Sequence, residues 1–254
     1  MDKVREALSA GLPTFGAWVT SGDPLIGEVV GKAGYDFVIL DGQHGGINWD
    51  NLLPMIQSLD LGGTRALVRV QWTDQAQIMR AMDLGALGVV VPMVSTPAQA
   101  KLAAEAIRYP PRGVRSFGMV RNYYGVQPLA FEPLCLVMIE TAEAMENLDA
   151  IAATPGVDGL FVGPVDLALS LGLGPALEMR DEVLAAIDKV IAACRRHGKI
   201  SGSATMGLPY ARTLIDRGLQ LVAQGNDVGF IRRSAAAEIE QMQGWRDQIK
   251  AGKG

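Results

Sequence analysis

Short apolar runs alternate with longer stretches of helical spacing along the whole chain. The runs "TFGAWVT" (14–20), "FVILD" (37–41), "ALVRV" (66–70) and "GVVVP" (88–92) read as strands, as do "LCLVMIE" (134–140), "GLFVG" (159–163), "ISGS" (200–203) and "LQLVAQG" (219–225). Each is bounded by turn residues and rich in β-branched or aliphatic side chains. Between them, apolar positions recur at three- and four-residue steps over 25–33, 49–59, 75–84, 98–107, 142–153, 179–197 and 209–217, with a last amphipathic helix over 231–249. Eight strands with intervening helices predict a parallel (β/α)8 TIM barrel carrying an additional C-terminal helix.

The joins support this. "KAGYDFV", "DLGALGVV", "TPGVDGLFV" and "DRGLQLVAQ" each place a glycine at a helix end, with an apolar strand beginning a few residues later. Glycine tolerates the left-handed conformation that closes a helix, so these are expected αβ turns at the bottom of the barrel. No composition break or low-complexity linker divides the chain, and residues 1–254 are expected to form one barrel domain. One long connection, "RYPPRGVRSFGMVRNYYG", is rich in Arg, Pro, Gly and Tyr. A connection of that length in a compact barrel is either functional or disordered, and its aromatic and basic content favours a wall over a site.

Composition narrows the class. Hydrophobic residues make up 49% of the chain and the net charge is −4, with no basic stripe able to displace counterions from nucleic acid. The densest basic run, "RRHGK", fits the end of a helix, with His197 as a C-terminal cap. The N-terminus lacks the apolar run of a signal peptide and no stretch is long enough to span a bilayer, so a cytoplasmic protein with no membrane partner is expected. Cys135 and Cys194 are too few and too far apart for a disulfide framework or a zinc motif.

In such a barrel, the C-terminal ends of the strands converge on one mouth, where catalysis is found. That filter selects His44 after the second strand, Arg69 near the end of the third, Glu140 ending the fifth, Asp166 just after the sixth and Ser203 ending the seventh. Glu140 and Asp166 offer hard oxygen donors suited to Mg2+, Mn2+ or Co2+ rather than to a zinc cage, or each could cap the helix that follows. Arg69, costly to bury unpaired, would bridge carboxylates or bind an anionic substrate. His44, with Asp41 nearby and glycines around it, is the candidate proton carrier. None of the lysines falls at a strand end facing the mouth, which argues against Schiff-base chemistry, and no phosphate-loop or dinucleotide fingerprint is present.

The motifs "VILDGQHG", "LVRVQW", "AMDLGA", "VVPMV", "RYPPRGVRSFG", "MIET" and "GVDGLFVGPVDLALSLG" occur in the order seen in the HpcH/HpaI aldolases, and the sequence resembles that family from about residue 15 to 231. The resemblance implies a metal-dependent (class II) pyruvate aldolase on a (β/α)8 barrel, cleaving a 4-hydroxy-2-oxo acid into pyruvate and an aldehyde through a metal-bound pyruvate enolate. It implies that Glu140 and Asp166 hold the divalent cation, with pyruvate chelating it and the backbone of Gly163, Pro164, Val165 and Asp166 lying against the carboxylate. Arg69 would contact the keto or enolate oxygen, and His44, oriented by Asp83 or Asp41, would handle the proton. It also implies a homo-oligomer, a hexamer in the family's usual form, with the C-terminal helix packing on neighbours.

Two positions depart from the commoner family pattern: Gln43 stands where glutamate is usual, and Met138 stands where glutamine is usual. The segment "SGSATMG" after the seventh strand also differs. These departures alter hydrogen bonding near the site and leave the aldehyde unspecified. A citrate-lyase-like enzyme acting on a coenzyme A thioester and a non-catalytic 2-oxo-acid binding protein are the competing readings.

Overall fold

The computed structural model describes residues 3–121, 131–175 and 180–252. Its elements follow the predicted alternation: α1 (Lys3–Ser9), β1 (Thr14–Val19), α2 (Pro24–Lys32), β2 (Phe37–Asp41), α3 (Leu52–Gly62), β3 (Arg65–Arg69), α4 (Gln75–Asp83), β4 (Gly88–Val91) and α5 (Pro97–Ala106). The second half comprises β5 (Leu134–Ile139), α6 (Ala142–Glu146), α7 (Leu148–Ala152), β6 (Gly159–Val162), α8 (Pro164–Ser170), α9 (Asp181–His197), β7 (Ile200–Thr205), α10 (Leu208–Asp216), β8 (Leu221–Asn226) and α11 (Asp227–Ala251). The eight strands are all parallel and close in sequence order, β8 pairing with β1.

Alternation along each strand sorts the core into two layers. Trp18, Phe37, Ile39, Leu67, Val90, Leu134, Leu136, Met138, Phe161, Leu221 and Ala223 fill the barrel interior, while residues of the other parity join the helices in a larger outer layer. Glycines make room for the large interior rings. A Cβ on Gly16 would collide with the Phe37 ring, and one on Gly202 with Phe161. The register also decides which polar groups reach the mouth: two residues beyond interior Ile39, Leu67 and Met138 stand Asp41, Arg69 and Glu140.

The four glycines at the helix-to-strand joins all take positive φ: Gly34 (97°), Gly85 (97°), Gly156 (84°) and Gly218 (99°). At the other helix ends, Asp23, Asp74, Thr96 and Thr141 cap α2, α4, α5 and α6 through their side chains, Thr96 in a reciprocal capping box with Gln99.

Four expectations are corrected. The helix over 142–153 is two short helices that meet at Asn147, whose side chain donates to Ser95 O (2.9 Å). The short helices α1 and α8 add to the predicted set; α1 plugs the interior layer with buried Val4 and neighbouring Leu8. His197 does not cap α9: the Gly198 backbone N–H does so, and the imidazole lies 3.0 Å from Asp149 on α7. The long connection does not wall the mouth over its described part, through Arg121. It leaves α5 at the opposite end of the barrel and is pinned there by Arg108–Asp158 (3.0 Å), Arg115–Asp83 (2.8 Å) and Arg121–Asp60 (2.8 Å). Its remainder, 122–125, lies outside the described residues.

Candidate active site

A cavity of about 910 Å3 opens at the C-terminal ends of the strands. Asp41, His44, Arg69, Glu140, Gly163, Pro164, Val165 and Asp166 all line it, so the loops after β2, β3, β5 and β6 deliver most of the expected residues to one place. No lysine lines it.

At its base Asp41 and Arg69 are register partners on adjacent strands, and both side chains are buried. Arg69 donates from Nε to Asp41 Oδ1 (2.9 Å) and from Nη2 to Oδ2 (2.6 Å). Its guanidinium lies 4.5 Å from the centroid of the Trp18 ring. Carboxylate and indole together fix the plane of the guanidinium, whose Nη1 has no hydrogen-bond partner among the described residues. Asp41 Oδ1 also accepts from the backbone N–H groups of Gln43 (3.0 Å) and His44 (3.1 Å). Burial alone would raise the Asp41 carboxyl, but the hydrogen bonds and charge of Arg69, with these two amides, hold it below the usual range.

Glu140 is buried, and its Oε2 accepts from Met93 N (2.9 Å). Met93 has φ of 56°, a left-handed conformation that costs a non-glycine residue energy and here aims its N–H at the carboxylate. Gly163 lies against the other oxygen, where any Cβ would collide with Glu140 Oε1. Asp166 sits in the first turn of α8, half-buried, without a hydrogen-bond or ion-pair partner among the described residues. The Glu140 carboxyl is pushed up to about 7 by burial and by Asp166; the Met93 N–H and Arg69 pull the other way and lose. The cap reading fails for Glu140, because the cap of α6 is Thr141, whose Oγ1 accepts from Ala144 N (3.0 Å).

A buried carboxylate and a half-buried one that repel each other, with neither in an ion pair among the described residues, form an oxygen donor set that favours positive charge. It fits a hard divalent ion. No group of three or more His, Cys, Asp or Glu suited to a metal occurs among the described residues, so two protein oxygens would leave most coordination positions to water and substrate.

His44 is exposed on the cavity wall, its imidazole without a hydrogen-bond partner among the described residues. Asp41 therefore contacts the backbone of His44 and not its ring. Asp83 is not brought to the cavity. It ends α4, at the far end of the barrel, bound to Arg115, and cannot orient His44 within one chain. Ser203 is also displaced from the expected set. In β7, which runs to Thr205, interior Gly202 and Ala204 leave Ser203 facing outward, where it donates to Ala204 O (2.9 Å) while Ala204 lines the cavity. Met138 lines the cavity and Gln43 does not.

The wall contributed by β1, β7, β8 and α11 was not read from the sequence. It includes Trp18, Thr20, Met206, Leu208, Gln224, Asn226, Val228, Arg232 and Arg233. Gln224 Oε1 accepts from Thr205 Oγ1 (2.6 Å) and Gly207 N (3.2 Å), tying the β7 loop to β8. Cys135 and Cys194 are buried, and burial pushes both thiols up to about 12, so neither is a nucleophile.

The sequence profile of the HpcH/HpaI aldolase/citrate lyase family matches residues 14–234. The chain belongs to that family. It is 37% identical over 245 residues to a hydroxypyruvate/pyruvate aldolase from Rhizorhabdus wittichii, covering 94% of this chain and 98% of that one. It is 36% identical over 241 residues to a 5-keto-4-deoxy-D-glucarate aldolase from Escherichia coli K12, covering 91% and 93%. An HpcH/HpaI aldolase/citrate lyase family protein from Burkholderia cenocepacia shares the fold with a TM-score of 0.88 at 27% identity, covering 96% of this chain and all of that one. This HpcH/HpaI chain thus carries its acidic pair and Arg69 at the barrel mouth of an aldolase family.

Proposed function

We propose that this protein is a divalent-metal-dependent lyase that reversibly cleaves a 4-hydroxy-2-oxo acid into pyruvate and an aldehyde. The observation that carries the reading is the pair of buried Glu140 and half-buried Asp166, neither in an ion pair among the described residues, sharing a cavity with Arg69 and His44. Relatives named as aldolases of pyruvate and of a keto-deoxy sugar acid support it.

Cleavage leaves an electron pair on pyruvate C3, delocalised onto the former keto oxygen. Glu140 and Asp166 would hold Mg2+, Mn2+ or Co2+, which when bound supplies Lewis-acid charge beside that oxygen. Arg69 faces the same developing charge with donors already fixed by Asp41 and Trp18, so little reorganisation is needed as the charge appears. The backbone from Gly163 to Asp166 supports the carboxylate end of the substrate. His44, at the rim with no hydrogen-bond partner for its imidazole among the described residues, takes the proton of the 4-hydroxyl in cleavage while C3 of the enolate takes up a proton from water to give pyruvate; both transfers run in reverse in addition.

Pyruvate incubated in heavy water with the protein and Mg2+ or Mn2+ should exchange its methyl protons, and a chelator should stop the exchange. Absence of exchange with all three cations would overturn the enolate chemistry. Tight binding of a coenzyme A thioester with turnover would instead favour the citrate-lyase branch.

A further inference from the structure

The charge lining the cavity is unevenly answered. Asp41 and Arg69 neutralise each other, and Glu140 with Asp166 call for a cation. That leaves Arg232 and Arg233 on the first turns of α11, lining the same cavity, with neither in an ion pair among the described residues.

Arg233 is held in place by a short chain of contacts. Gly225, with φ of 68° and no side chain, gives room for the Phe230 ring, which a Cβ there would strike. The Arg233 guanidinium lies over that ring, 5.3 Å from its centroid. The bare Gly229 lets Arg233 fold back over the helix, its Nη1 3.3 Å from where a Cβ would stand. The start of α11 is itself anchored to the end of β1, since Asp227 accepts from Thr20 N, Thr20 Oγ1 and Ser21 N at 2.8–2.9 Å. Arg233 is thus positioned on the wall, and exposed Arg232 stands beside it on the same anchored helix start, in a cavity much larger than pyruvate needs.

We propose that Arg232 and Arg233 form an anion-binding subsite for the acceptor, so that the aldehyde used here carries a carboxylate or phosphate at its far end. The inference rests on the aldolase reading above and adds the residues and the charge that select the aldehyde. Guanidinium groups recognise both anions through paired N–H donors, and a neutral acceptor leaves those donors to water.

The test compares anionic acceptors with neutral counterparts: succinic semialdehyde against its methyl ester, and glyceraldehyde 3-phosphate against glyceraldehyde. Aldol addition of pyruvate would be followed for wild type, Arg232→Gln, Arg233→Gln and the double variant. The ratio of kcat/KM for the anionic over the neutral acceptor should fall about tenfold or more in each single variant, mainly through KM, and further in the double variant. The pair with the larger wild-type ratio identifies carboxylate or phosphate as the preferred group. Equal loss for both members of a pair, or no loss, overturns the subsite. Calorimetric titration of succinate and of inorganic phosphate into chelated protein provides a readout independent of turnover. If wild type fails to exchange pyruvate protons yet binds either anion more tightly than the double variant, the aldolase reading fails while the anion site stands. Normal exchange with unchanged acceptor ratios and unchanged anion binding overturns the subsite alone.

Discussion

Glu140 concentrates the site's electrostatic cost. Its folded carboxyl is pushed to about 7 from an ordinary 4.5, mostly by burial, so the native state favours the protonated form. A raised acid contributes stability that is fully present below the unfolded value and is lost as pH rises through the folded one. Metal-free wild type should therefore lose stability relative to Glu140→Gln between about pH 4.5 and 7. Thermal melts of both proteins with chelator at pH 5 and pH 8 would show it, and a pH-independent difference would contradict it. At pH 8, Mg2+ or Mn2+ should raise the melting point of wild type much more than that of the variant, since a ligand at a hundred times its dissociation constant adds about 2.7 kcal/mol. Arg69 makes a different prediction. Arg69→Lys keeps a charge near Asp41 but loses the planar fork, and should slow pyruvate proton exchange about 100-fold with cation affinity retained. A change of only a fewfold would remove Arg69 from the chemistry.

Between strand ends and helix starts, single acidic or amide side chains set the geometry. Asp227 is the clearest case. Burial would raise its carboxyl, but neighbouring Ser21 and Thr20, which donate to it from both amides and the Thr20 hydroxyl, hold it below the ordinary value. A depressed acid contributes stability above its unfolded value and loses it as pH falls through the folded one. Asp227→Ala should cost at least about 2 kcal/mol near neutral pH, the scale of hydrogen bonds to a charged group. Urea denaturation should show the deficit at pH 7 and its narrowing at about pH 2.5; an equal deficit at both would mean that packing, not charge, is lost. This anchor also shows where sequence reading runs out. The strands, the αβ-turn glycines and the inward parity of Asp41, Arg69 and Glu140 follow from local periodicity and were legible. Asp227 meets Thr20 across the closure of the barrel, a relation between the first and last strands that local spacing does not encode. The same holds for Ser203: the pairing of β7 with β6 and β8 puts Gly202 and Ala204 inside, so Ser203 faces outward, and local spacing does not encode that parity. Asp83 ends α4 just before the αβ-turn glycine Gly85, so the alternation itself places it at the bottom of its own chain's barrel; the motif match, which carries no geometry, paired it with His44.

On the scale of the whole molecule, α11 is the element that the barrel does not explain. Of its 25 residues, Asp227 is the one that is buried. Beyond its first turns it presents Ile239, Met242, Trp245 and Ile249 to solvent, each 47–60% exposed and spaced three to four residues apart along one stripe. A helix of this length spans about 37 Å, and an isolated apolar stripe on it is more than a monomer ordinarily leaves uncovered. We therefore propose that the chain forms a homo-oligomer through α11, with the hexamer expected from the family resemblance. Light scattering behind size exclusion should give a multiple of the 27.0 kDa chain mass at micromolar concentration. Trp245→Glu and Met242→Glu together should shift it towards the monomer. Because Val228, Gly229, Arg232 and Arg233 at the start of α11 line the cavity at the barrel mouth, the proposed assembly and the proposed acceptor site share one helix. Dissociation should then raise the acceptor KM more than it changes pyruvate proton exchange, which depends on Glu140, Asp166 and Arg69 in the barrel itself. A wild-type protein that is monomeric at these concentrations would leave the stripe without this role. A dissociated variant with unaltered acceptor KM would separate assembly from the site.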